Sequence, residues 1–142
     1  SYLNFGPSFN PDLDDSHRYI KMKGRKIYEF ALTNVPIALK QCLEKAHIDI
    51  SQISKILIHQ ANEKMDIAII ERFFKLYGLT PPEHIMPMTI GSLGNSSVAT
   101  VPTLYDQINK GKLSNHMFYP GDLLLFASVG AGMNINAFIY RV

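Results

Sequence analysis

The stretch Lys55-Ile56-Leu57-Ile58-His59-Gln60-Ala61-Asn62 decides the fold class of this chain. Its branched apolar run predicts a short buried strand that ends at His59. Residues 61–77 continue with a helical apolar pattern, which Gly78 closes. A buried strand that leads straight into a helix indicates an α/β domain.

The rest of the chain extends this unit into a mixed sheet with helices packed on its faces. After Gly24 the pattern predicts two helices that meet at Asn34-Val35-Pro36, because Pro is common in a first helical turn. Residues 1–18 show no periodicity and are predicted to be an N-terminal loop or arm, with the domain over residues 19–142. The further predicted elements are a short strand near Ile85–Met88, a turn at Gly91–Gly94, a helix from Ser97 to Lys110, and strands at Leu123–Ala127 and Ile135–Tyr140.

Composition excludes several classes of function. The net charge of +2 over 142 residues is too small to indicate nucleic-acid binding. No apolar stretch approaches the roughly 18 residues of a membrane span, and the N-terminus does not resemble a secretory signal. The single cysteine, Cys42, excludes an internal disulfide and fits a reducing compartment, so a cytoplasmic location is expected. Its place within a predicted helix favours a structural core residue over a nucleophile.

Familiar catalytic motifs give no support to other chemistries. Gly130-Ala131-Gly132 precedes a predicted strand, whereas a dinucleotide-binding loop precedes a helix. Zinc-hydrolase and serine-hydrolase motifs do not occur in the sequence. No metal ligand set is predicted.

Two polar loops remain, each placed directly before a buried-looking helix. They are His59-Gln60-Ala61-Asn62 and Gly94-Asn95-Ser96-Ser97. Polar residues at the carboxyl ends of strands often line a ligand crevice. A capped core histidine at 59 and a turn or helix-capping asparagine at 95 are the structural alternatives. From the residues alone, a functional role and a purely structural role for these two loops are about equally favoured.

Taken in order, these segments resemble the C-terminal half of the β-ketoacyl-acyl-carrier-protein synthase III family of the thiolase superfamily. The resemblance covers residues 19–142 and implies an α/β, thiolase-like half. The matching segments are Tyr19–Gly24 with Ile27–Ala31, Ile58–Asn62, Gly94–Pro102, Pro120–Leu125 and Gly130–Gly132.

The resemblance implies a decarboxylative Claisen condensation in fatty acid biosynthesis. An N-terminal half, absent from this chain, would supply the nucleophilic Cys, so the chain alone is expected to be inactive. His59 and Asn95 would be catalytic, as hydrogen-bond donors to the malonyl thioester oxygen. Residues at carrier-protein or pantetheine positions are Gln60, Asn62, Lys64, Gly24 and Tyr28.

The same resemblance implies the partners. Acyl-CoA and acyl carrier protein would bring thioester substrates, with no resident cofactor, and the full enzyme would be a homodimer. Val129 replaces a phenylalanine common in the family, which leaves the primer open. A related enzyme that makes a polyketide, an alkylquinolone or a long-chain ketone precursor remains an alternative, as does a non-catalytic domain that binds a carrier protein or a partner subunit.

Overall fold

The main sheet is a mixed sheet of three strands. The computed structural model describes residues 2–13 and 16–142, without the side chain of Ala131. Strands β3 (Ile53–Ile58), β4 (Leu123–Val129) and β5 (Ile135–Arg141) lie in the order β3-β4-β5. The β3–β4 pair is parallel and the β4–β5 pair is antiparallel, which confirms the predicted mixed sheet and its closing hairpin.

Helices cover both faces of this sheet. Helices α1 (Gly24–Ala46) and α2 (Glu63–Lys75) pack on one face, where Leu39, Phe73 and Ile56 are fully buried. Helix α4 (Thr100–Asn109) packs on the other face through Leu104, against Leu57 and Leu124. Each such side chain contributes about 1.5–3 kcal/mol through burial. Because helices cover both faces of the sheet, side chains on both sides of β3 and β4 are buried. This explains why the two strands are continuous apolar runs.

Helix α2 begins directly after the polar loop of β3. Asn62 is its N-cap and accepts a hydrogen bond from the Met65 N–H at 2.9 Å. Acidic residues in its first turn and Arg72 and Lys75 in its last turn complement the helix dipole. Gly78, at φ 70°, follows the helix as predicted.

Helix α1 is continuous, so the prediction of two helices was wrong. Pro36 lies inside its 23 residues and is buried. A proline there removes the N–H that would bond to the Leu32 carbonyl. Arg72 of α2 donates from Nη1 to that carbonyl at 3.3 Å, so a tertiary contact replaces the missing donor.

The predicted strand near Ile85–Met88 does not form. This segment runs along the edge of β3, and the Ile56 N–H donates to the Ile85 carbonyl at 2.8 Å. Pro87 has no N–H with which to continue a ladder. The predicted turn that follows is a one-turn helix, α3 (Ile90–Leu93).

The N-terminal region contains two strands that the sequence analysis missed. Strand β1 (Leu3–Gly6) pairs antiparallel with β2 (Tyr19–Met22). Ser1, Asp14 and Asp15 of the predicted arm lie outside the described residues, and the domain boundary after residue 18 stays a prediction. None of the helices described is both long enough and apolar enough to cross a membrane.

Candidate active site

A cavity of about 1140 Å³ lies where the start of α1, the start of α2 and the glycine loop after β4 meet. Its wall is mostly apolar with a few polar side chains, which is typical of a small-molecule site. The structure brings five of the seven predicted site residues to this cavity. They are Gly24, Tyr28, His59, Asn62 and Asn95.

His59 follows the last residue of β3 and lines the cavity. Its backbone N–H donates to the Ala127 carbonyl at 3.0 Å, which continues the pairing with β4 beyond the strand. Burial lowers the pKa of the imidazole, and the nearby Ser97 backbone opposes this only in part. Burial therefore favours the neutral ring.

Asn95 is fixed by the same residue that contacts His59. The Ser97 N–H donates to Asn95 Oδ1 at 2.9 Å. Because Oδ1 is already an acceptor, the amide nitrogen of Asn95 is the group left to donate to a ligand. Ser97 thus fixes the Asn95 side chain at the cavity that His59 also lines.

Ser97 is the site residue that sequence reasoning missed. Its backbone has φ 54°, in the left-handed region that non-glycine residues seldom adopt. Thr100, which is buried, donates from Oγ1 to the Ser97 carbonyl at 2.9 Å and stabilises this conformation. The motif Gly94-Asn95-Ser96-Ser97 signalled a tight turn, but not which backbone groups face the histidine.

Four of the five residues predicted for substrate binding are exposed. Gly24 and Tyr28 are exposed at the start of α1, one turn apart, and Asn62 is exposed at the start of α2. Lys64 is exposed in the first turn of α2, outside the residues that line the cavity. Gly24, Tyr28 and Asn62, but not Lys64, thus line the same cavity as His59.

Gln60 is placed differently from the expectation that it contacts a substrate or carrier protein. Its side chain is 0% exposed. It donates from Nε2 to the Pro87 carbonyl at 2.7 Å and accepts from the Thr89 N–H at 3.0 Å. The side chain therefore faces the protein interior behind His59, because both ends of its amide are already bonded.

A second cavity of about 500 Å³ lies on the other side of His59. Val129 and Gly130, like His59 and Ser97, line both cavities. His59 therefore lies in a wall that the two cavities share.

Among the described residues, no group of three or more His, Cys, Asp or Glu side chains is arranged to hold a metal ion.

Comparison with known proteins identifies the family. The sequence model of the 3-oxoacyl-[acyl-carrier-protein] synthase III C-terminal domain matches residues 43–142. The chain belongs to this family. That confirms the resemblance drawn from the motifs of the two polar loops.

Full-length members of the synthase III family are similar to the chain but longer. The β-ketoacyl-[acyl-carrier-protein] synthase III of Levilactobacillus brevis is 32% identical over 123 residues, which cover 87% of this chain and 35% of that protein. The Synechocystis protein of the same name is 34% identical over 127 residues, 89% of this chain and 35% of its own length. The chain thus spans about a third of the length of these relatives.

Solved structures of synthase III proteins share the fold. The 3-oxoacyl-[acyl-carrier-protein] synthase III of Aquifex aeolicus superposes with a TM-score of 0.70 at 26% identity, over 99% of this chain and 44% of that one. The Thermus thermophilus synthase III gives 0.72 at 26% identity, over 99% and 41%. The predicted thiolase-like α/β half is thereby confirmed. The roles of the individual site residues stay predictions.

Proposed function

We propose that this chain is the C-terminal half of a 3-oxoacyl-acyl-carrier-protein synthase III that condenses acyl-CoA with malonyl-acyl carrier protein in fatty acid biosynthesis. The observation that carries the proposal is that His59 and Asn95, which come from two separate loops, line one cavity, with Asn95 bound to the Ser97 N–H. Two polar side chains that line one cavity can donate hydrogen bonds to one developing oxyanion.

The proposed step begins with cleavage of the bond to the malonyl carboxylate, which leaves as carbon dioxide. The electron pair of that bond moves onto the thioester oxygen as an enolate. The enolate carbon then attacks the carbonyl carbon of an acyl-cysteine, a carbon–carbon bond forms, and the cysteine leaves as thiolate. Hydrogen bonds to the enolate oxygen lower the barrier because the charge appears only in the transition state.

Asn95 is ready to donate in the geometry observed. His59 has a further requirement, since a neutral imidazole carries one N–H. When that N–H bonds to the Ser97 carbonyl, the other ring nitrogen is an acceptor. His59 therefore donates to the enolate as the neutral tautomer whose N–H faces the cavity rather than Ser97.

The cavity is proposed to hold the pantetheine arm that both thioester substrates share. Asn62, Gly24 and Tyr28 line it between the surface and His59. The exposed, positively charged side chain of Lys64, in the first turn of α2, supports a role in contact with the acidic carrier protein. The thioesters are substrates, and no resident cofactor is part of the proposal.

The nucleophile is proposed to come from a separate N-terminal half. Cys42 is half-buried within α1, and burial raises the pKa of its thiol, which disfavours the reactive thiolate. This agrees with the structural role predicted for it. A complete enzyme would therefore require a second, cysteine-bearing half, and we propose that this enzyme is a homodimer.

The test uses the complete gene product that contains this chain. His59→Ala and Asn95→Ala should each reduce malonyl decarboxylation by about 10²–10³-fold. The matched controls, His17→Ala and Asn109→Ala, change exposed residues outside the cavity and should retain the wild-type rate. Wild-type decarboxylation in both site variants would remove the assignment.

One structural observation supports a second candidate, a non-catalytic domain that binds a carrier protein. The chain's single thiol, Cys42, lies in helix α1 and does not line the cavity. Sequencing upstream of Ser1 separates the two candidates. An in-frame cysteine-bearing half favours the enzyme, whereas a stop codon and a start near Ser1 favour the binding domain.

A further inference from the structure

We infer that Gln60 is a positioning residue, which holds the loop that carries Asn95 in a fixed relation to His59. The inference deepens the proposed function, and its kinetic test rests on that proposal. Its structural test does not.

The buried amide of Gln60 uses both of its ends. Nε2 donates to the Pro87 carbonyl at 2.7 Å. Oε1 accepts from the Thr89 N–H at 3.0 Å and from Thr89 Oγ1 at 3.2 Å. Gln60 is 0% exposed and Thr89 is 7% exposed, so water does not compete for these bonds.

Thr89 begins the short structure that carries Asn95. The N–H groups of Ser92 and Leu93 donate to the Thr89 carbonyl at 3.0 and 2.9 Å. The Gly94 N–H donates to the Ile90 carbonyl at 2.9 Å and ends the turn directly before Asn95. A displacement of Thr89 would therefore be passed through α3 to Asn95.

The other end of the segment is held by β3. Lys55 donates from Nζ to the His84 carbonyl at 2.7 Å, and the Ile56 N–H donates to the Ile85 carbonyl at 2.8 Å. Beyond Ile85 this pairing stops, because Pro87 has no N–H to offer. The side chain of Gln60 supplies the next bonds along the same edge and so completes the attachment.

The chemistry explains why the residue is a glutamine. The position needs a donor for Pro87 and an acceptor for Thr89 on one short planar group. Glutamate keeps the acceptor but sets a second oxygen against the Pro87 carbonyl. Methionine has similar length and offers neither bond, which leaves buried polar groups unsatisfied.

The structural test uses ¹⁵N-labelled Gln60→Met and Gln60→Glu in the complete gene product that contains this chain. The backbone resonances of Gly94, Asn95 and Ser97 and the imidazole resonances of His59 should shift in both. Ser54→Ala is the matched control, because it removes a half-buried hydrogen bond to Asp122 Oδ1 of 2.8 Å from a residue that does not line the cavity. If Gln60 variants move these resonances no further than the control does, the inference is overturned.

The kinetic test is a double-mutant cycle in the complete gene product. Gln60→Met should lower kcat for malonyl decarboxylation by about 10–100-fold, with KM for malonyl carrier protein little changed. Added to Asn95→Ala, it should cost no more than a few-fold, since the residue it positions is gone. Full additivity would contradict the positioning role, although Asn95→Ala alone would still report on the proposed function. Thr89→Val, which removes only the Oγ1 bond, gives the milder variant if Gln60→Met does not fold, and it should show the same lack of additivity.

Discussion

Arg72 donates a hydrogen bond from Nη1 to the carbonyl oxygen of Leu32 at 3.3 Å and so joins α2 to the middle of α1. Leu32 is the residue whose carbonyl lacks its usual helical partner, because Pro36 carries no N–H. The contact lets a proline lie inside a continuous helix. Here a side chain distant in the sequence replaces a missing backbone donor, and a local sequence pattern does not reveal such a contact.

Replacement of the Arg72 donor should lower the stability of the protein, and the size of the loss should depend on whether residue 36 is proline. Arg72→Met is expected to lower the free energy of unfolding by about 1–3 kcal/mol, because a part-buried carbonyl loses a charged donor. In the Pro36→Ala background the helix supplies its own N–H, so the same change should cost less. Urea denaturation of the four proteins measures the difference, and an equal cost in both backgrounds would show that Arg72 acts elsewhere.

Asp66 should make the protein less stable as pH rises from 4 to 7. Its side chain is fully buried on α2, and neither carboxylate oxygen has a hydrogen-bond partner of normal geometry. Burial raises its pKa to about 7, the Ala61 backbone opposes this, and Glu63 adds a smaller increase. Between the unfolded pKa of 3.8 and about 7, the folded state binds more protons than the unfolded state does, so stability falls, by at most about 4 kcal/mol.

The variant Asp66→Asn tests this source of pH dependence. Its free energy of unfolding should vary less between pH 4 and pH 7 than that of the wild type. Glu71→Gln, an exposed carboxylate on the same helix, is the control and should keep the wild-type slope. Unchanged slopes in both variants would place the pH dependence in other groups.

His59 should titrate below the ordinary histidine value of 6.5. Burial lowers its pKa more than the Ser97 contact raises it, so the ring is neutral when the unfolded chain begins to bind a proton. The unfolded state then binds more protons, and this contribution to stability is lost as pH falls through 6.5 and below. Imidazole resonances in a pH titration measure the pKa, and a value above 6.5 would mean that the Ser97 bond outweighs burial.

Lys64 should affect carrier-protein use but not acyl-CoA use. Lys64→Glu is expected to raise KM for malonyl carrier protein through charge repulsion, with the acyl-CoA primer reaction unchanged. Lys75→Glu makes the same change at the far end of α2 and serves as the control. Equal KM values in the two variants would remove Lys64 from the docking surface.

The chain alone should self-associate through the apolar surface beside α4 and β5. Val98 is 91% exposed, and Phe138, which stacks on Phe126, is 54% exposed. Large exposed apolar side chains of this kind favour association. Analytical ultracentrifugation of the chain should show oligomers that Phe138→Asp disrupts and that Leu79→Asp, on a different surface, does not. A monodisperse wild-type monomer would contradict the expectation.

Local sequence patterns were sufficient to predict the elements whose hydrogen bonds and capping groups come from neighbouring residues. The apolar run of β3, the capped helix after Asn62 and the glycine-bounded hairpin of β4 and β5 form where they were predicted. The local patterns gave wrong predictions at Pro36 and at Ile85–Met88. At both places a side chain distant in the sequence supplies hydrogen bonds that decide the backbone structure. The strand Leu3–Gly6 was missed because its partner, rather than its own short pattern, establishes it.

The candidate site divides in the same way. The sequence by itself determined the fold class and the two polar loops, because strand and helix periodicity and loop chemistry are local properties. Only the tertiary structure decided that the turn of Asn95 and Ser97 lies at the same cavity as His59, and that Gln60 faces the interior. Those outcomes depend on how segments that are distant in the sequence pack against one another, which is a property of the packed chain as a whole.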